Sequence, residues 1–157
     1  MGLINLLERL AEDTWERVRD GNALGIRLGE TGLTDLLLLE IKRTNPLHLR
    51  VFKTPHHLEP RQGTDWEWWI GSNPTGWLRY AVQAKKLYLR SHTYQSLGHT
   101  IGGVRQLDVL DAFANANNAI PIYCFYNYAD WVNLATCWQC NLPLEAPQLG
   151  CTITPRA

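Results

Sequence analysis

The chain has 157 residues, 45% of them apolar and 19% charged, and its 15 basic and 15 acidic side chains cancel. That length suits one domain with a real core, residues 1–157, and no segment is apolar for the span a transmembrane helix needs. The charges are unevenly spread: residues 1–39 carry four basic and seven acidic side chains, residues 40–110 ten and five, and residues 111–157 one and three. The basic excess sits in the middle of the chain, as a local anion-binding surface would require, although such a segment also arises by chance and zero net charge alone argues nothing for nucleic acid.

The N-terminal stretch carries acidic residues early and has no basic region ahead of an apolar one, so a cytoplasmic protein is expected. "MGLINL" lacks the Ser or Thr of a myristoylation motif, and no membrane partner is expected. Residues 3–19 predict an amphipathic helix. Leu3, Leu7, Leu10, Ala11, Thr14 and Val18 share one side, Glu8, Glu12, Asp13, Glu16 and Arg19 lie mostly on the other, and Gly21-Asn22 ends it. A second helix is predicted from "GETGLTD" through "LLLLEIKR" to about Arg43, stopped before Asn45-Pro46. On its wheel Glu30 lies within about 60° of Leu33, Thr34, Leu37 and Ile41. A carboxylate on that inward edge needs a partner, whereas Asp35 lies off the stripe and is expected in solvent.

"LHLRVFKT" (47–54), "TDWEWWI" (64–70) and "WLRYAVQAKKLYL" (77–89) alternate as strands, with "PHHLEPRQG" a loop and "GSNPTG" (71–76) the turn of an antiparallel hairpin. Residues 91–103 read as a polar loop with one short helix. A helix at about 104–118 follows, with Leu107, Leu110, Phe113 and Ala114 inward and Asp108, Asp111 and Asn115 outward, then a strand at 119–128. An extension after about residue 128 is expected to hold a helix near 129–138 and a short strand, "CTIT". The order predicts an α/β (α+β) fold with one mixed sheet, and no Gly-rich phosphate loop follows a strand.

Cys137-Trp-Gln-Cys140 has the spacing of half a zinc site, but no second pair matches it, and Cys124 falls in a core strand. All four cysteines are read as structural thiols.

The period of two carries the chemistry. Asp65 and Glu67 share one face of their strand, and Gln83 and Lys85 share one face of the next. If the hairpin pairs across 71–76, two carboxylates, an amide oxygen and an ammonium converge on one patch of sheet. Such hard oxygen donors suit Mg²⁺ or Mn²⁺. Glu30, needing a partner on the inward edge of its helix, would find one in a metal or in Lys85. His56-His57 are adjacent loop histidines, more simply solvated than ligating. Trp66, Trp68, Trp69 and Trp77 offer stacking surfaces, but most are more simply core. Tyr88 and Gln106 lie within plausible reach of the site without a pattern that assigns them.

The acidic Glu30 on an N-terminal helix, Asp65 at the second strand and Gln83-Ala84-Lys85 on the third resemble the PD-(D/E)XK (restriction-endonuclease-like) nuclease superfamily. "GETGLTDLLLLEI", "GTDWEWWIG", "VQAKKLY" and "IPIYCFYN" are similar to a bacterial branch of it often assumed to act in defence or mobile elements. The resemblance spans roughly residues 20–128 and departs from the family pattern in having no Pro before Asp65 and Gln83 in place of an acid. It implies an αβββαβ core and a metal-dependent endonuclease acting on nucleic acid, DNA rather than RNA, with a homodimer or a defence-complex partner conceivable. By that resemblance Asp65, Gln83 and Glu30, with Glu67 as a further ligand or supporting group, would hold Mg²⁺ (or Mn²⁺). Lys85 would orient and help deprotonate the attacking water, and Lys86, on the opposite face, would take no part. The competing reading is a catalytically inactive nuclease-like module that binds nucleic acid or a partner.

Overall fold

Helix α1, Leu3–Ala23, buries Leu6, Leu10, Ala11, Thr14, Trp15, Val18 and Gly21, a stripe with helical spacing. The computed structural model describes residues 2–94, 97–129 and 145–155. The helix continues past the stop expected at Gly21. A side chain there would press within 2.7 Å of the Ile26 carbonyl oxygen, so this glycine serves close packing of the following segment. Helix α2, Glu30–Thr44, ends at Asn45 in the left-handed conformation (φ 46°), with the Asn45 N–H bonded to the Ile41 carbonyl.

Strands β1 (Leu49–Lys53), β2 (Trp66–Ser72) and β3 (Gly76–Tyr88) form an antiparallel meander. Helix α4 (Gln106–Ala116) then crosses to β7 (Ile120–Tyr126), which lies parallel to β3, and β8 (Cys151–Pro155) pairs antiparallel to β7. A one-turn helix, α3 (Glu59–Gln62), sits within the segment expected to be plain loop. Residues 91–103 carry no helix among the described residues. Short strand β4 (Thr93–Tyr94) pairs with β3, and β5 (Thr100–Ile101) with β6 (Val104–Arg105). The sheet order is β1-β2-β3-β7-β8 with β4 on β3. The fold is α+β, a mixed central sheet flanked by helices, and α2-β1-β2-β3-α4-β7 gives the expected αβββαβ order.

The larger core lies under α1 and α2, where Leu6, Leu10, Leu33, Leu37 and Ile41 pack on Trp66, Trp68, Val82, Ala84 and Cys124. On the opposite face Leu110 and Ala114 of α4 pack on Ala81. Cys124 is buried and Cys151, a free thiol too, reaches Thr14 Oγ1 at 3.3 Å, as expected of structural thiols. Cys137, Cys140 and nearly all of the helix expected near 129–138 lie outside the described residues.

Candidate active site

The β2–β3 ladder ends at the pair Trp66↔Val82. One step beyond, the main chain of Asp65 is pinned on both sides. Its N–H donates to the Val82 carbonyl at 2.8 Å, and its carbonyl accepts from the Thr54 N–H at 3.0 Å. The buried hydroxyls of Thr54 and Thr64 bond each other at 2.9 Å, holding the end of β1 against the approach to β2. Gly63 allows that approach to press on α4: its φ is +65°, and a side chain would meet the Leu110 nitrogen at 2.6 Å.

So fixed, Asp65 turns its carboxylate along β3, where Oδ2 accepts the Ala84 N–H at 2.6 Å. The next N–H on the same edge of β3, that of Lys86, is accepted by Glu30 Oε2 at 3.1 Å. Two carboxylates thus take the places that a longer β2 would fill. Glu30 opens α2, where an acid is favoured by the exposed N–H groups of the first turn. Its helix is held by the buried stripe and by the 2.9 Å bond between Thr34 Oγ1 and Tyr126 Oη of β7. Lys85, only 5% exposed, brings Nζ to 3.9 Å from Glu30 Oε1 and donates to Gln106 Oε1 at 3.4 Å.

A cavity of about 20 Å³ lies among Glu30, Asp65, Glu59, Thr31, Thr34 and Lys53, room for one water-sized occupant. Burial is the main reason the Asp65 carboxyl is pushed up to about 6. The Ala84 N–H and Lys85 oppose the shift, while the charges of Glu30 and Glu59 add to it. Burial likewise raises Glu30, against the pull of Lys85 and of the Lys86 N–H. Negative charge is therefore held here at a cost, and a cation would relieve it.

Glu30, Asp65 and Lys85 come together as the sequence predicts. Gln83 is 2% exposed and does not line the small cavity, and its buried Oε1 has no hydrogen-bond partner among the described residues. Glu67 does not join the site. Within the ladder it faces Ala81, and both its oxygens are taken by Arg79 at 2.7 and 2.8 Å, with Trp69 Nε1 at 3.2 Å. The shared face was read correctly, but Arg79 captures this carboxylate before it can reach the others. Glu59 was missed, its loop being read as featureless, although Pro60 behind it is a usual sign of a helix start. His56, out in solvent, lies 3.0 Å from Glu59. Trp66 and Trp68 are core, whereas Trp69 and Trp77 lie under Arg79 and Arg50. Asp35 is exposed and paired with Lys53. Lys86 turns its ammonium away to the Leu28 carbonyl.

The residues present fit the divalent cation that the resemblance implies. Two carboxylates raised by burial border a water-sized space. Among the described residues no three His, Cys, Asp or Glu side chains are grouped to hold an ion. An ion held by Glu30 and Asp65 would thus complete its shell with neutral oxygens, water and substrate phosphate, the usual habit of Mg²⁺. Fold and site together define an α+β domain with a paired-carboxylate and lysine centre where two strands part. The chain belongs to DUF6615, a family of unknown function, whose profile matches residues 3–156. A comparison with curated proteins gives no match.

Proposed function

We propose that the protein is a Mg²⁺- or Mn²⁺-dependent nuclease of the PD-(D/E)XK kind, cutting phosphodiester bonds in nucleic acid. One observation carries this reading: Asp65 and Glu30 cap successive N–H groups of β3 around a water-sized space, with the Lys85 ammonium 3.9 Å from Glu30. Bound there, a divalent cation supplies Lewis-acid polarisation of the phosphate and a more acidic water.

The chain's own residues do the rest. Asp65 and Glu30 present oxygens already fixed by main-chain donors, so little reorganisation is needed on binding. Lys85, held between Glu30 and Gln106, donates toward the charge that develops on the phosphate oxygens. Gln106, at the first turn of α4, keeps that ammonium in place. DNA is the preferred substrate on the resemblance, and the cytoplasm the preferred compartment. Among the described residues no helix is long and apolar enough to cross a membrane.

Thermal melting with and without Mn²⁺ at pH 8 tests the metal centre. The wild type should gain several degrees, and Asp65→Ala should gain none. Equal gains in both proteins, or none in either, would remove the basis of the proposal.

A further inference from the structure

A second and larger cavity lies next to this site. It measures about 480 Å³ and is walled by the last turn of α1, residues 25–28 and β3 from Lys86 onward to residue 91. That volume falls within the range of about 300–1,000 Å³ typical of small-ligand sites. Arg27, Lys86 and Arg90 line it, and no Asp or Glu does. Among the ion pairs of the described residues, none includes any of these three cations. Like charges thus meet at one cavity with no acidic side chain in its wall. The remaining wall is mostly apolar, with Ile26, Leu28 and Tyr88 beside the polar Asn22 and Ser91, and the Arg27 guanidinium lies 5.4 Å from the Tyr88 ring centroid.

A cationic rim over an apolar and aromatic wall is suited to a phosphate carried on a planar or apolar body. We infer that this cavity receives a nucleotide unit, its phosphate among Arg27, Arg90 and Lys86 and its sugar and base against the wall. Lys85 belongs to the carboxylate centre and Lys86, the next residue, to the cavity. The unit is therefore the one adjoining the bond to be cut in the same strand. This last step rests on the nuclease reading, whereas the nucleotide site itself does not.

The test compares wild type with Arg27→Gln/Arg90→Gln and with Arg90→Glu alone, these arginines being exposed and outside the carboxylate centre. Binding of a fluorescent single-stranded DNA oligonucleotide is measured in EDTA over a series of salt concentrations, and binding of adenosine 5′-monophosphate by titration. An unchanged Mn²⁺ melting shift in the variants certifies the fold and the metal centre. The double variant should bind the oligonucleotide at least about tenfold more weakly, with the salt slope of log K reduced by about 1. The monophosphate should compete with the oligonucleotide on wild type alone. Identical oligonucleotide affinity in wild type and variants at every salt concentration would overturn the inference. So would a wild type that binds neither probe, and if that protein still cleaves nucleic acid the nuclease reading survives alone. Monophosphate binding that depends on the arginines, in a protein that cleaves nothing, supports the cavity with a free nucleotide as its source and removes the nuclease reading.

Discussion

The two halves of β3 solve the same problem differently. From Gly76 to Val82 its edge toward β2 is closed by a regular ladder, and the one carboxylate there, Glu67, is held by Arg79 from the same sheet. From Ala84 to Lys86 the ladder has ended, and side-chain carboxylates accept the main-chain N–H groups instead. The first half is a neutral, self-satisfied piece of sheet. The second leaves two acids partly buried, with one lysine between them and no arginine. Charge that is structurally spent and charge that is held in reserve thus sit two residues apart in the chain, at Glu67 on β2 and at Asp65 just before it.

The contrast breaks most sharply in activity. Asp65→Ala should abolish metal-dependent cleavage, a loss of at least about 10³-fold if the metal centre drives the reaction; a gel assay on labelled DNA reads it. Lys85→Met should lower cleavage by about 10²-fold or more, as removal of a group that stabilises developing charge does, while the Mn²⁺ melting shift persists. Loss of that shift would make Lys85 a support for metal binding rather than a donor to the phosphate.

Stability should show the opposite pattern. Glu67→Ala strands the Arg79 guanidinium, which is 21% exposed. It should cost about 2 kcal/mol in urea unfolding, less than the 3–5 kcal/mol of a fully buried broken pair. Its Mn²⁺ shift should remain intact. Asp65→Asn should instead stabilise the metal-free protein at pH 8, by on the order of 1–2 kcal/mol. The sign follows from the raised carboxyl. The folded value of about 6 lies above the ordinary 3.8, so the stability tied to this proton is complete below pH 4 and is lost as pH rises through about 6. Since only the ionised carboxylate holds a cation, Mn²⁺ affinity should climb over the same interval.

Much of the site was legible because two local periods reach it. The helical period placed Glu30 beside Leu33, Thr34, Leu37 and Ile41, all but the first of these five now buried. The strand period set Gln83 and Lys85 apart from Val82 and Ala84, which pack in the larger core. Where a ladder ends is not a local property, and that decided the rest. Period two alone cannot separate Asp65 from Glu67, and the separation comes from Arg79 lying diagonally across the pair. The turn also proved tighter than 71–76, since pairing continues to Ser72↔Gly76. Gly21 signalled a stop but supplies a close contact, and Arg27 and Arg90 meet Lys86 only through tertiary folding.

The most direct measurement is cleavage of labelled single- and double-stranded DNA and RNA by purified protein with Mg²⁺, Mn²⁺ or EDTA, beside Asp65→Ala. The metal centre predicts cleavage that requires the ion and Asp65 together. Intact substrates of every kind at a concentration of Mn²⁺ that demonstrably raises the wild-type melting temperature would contradict it.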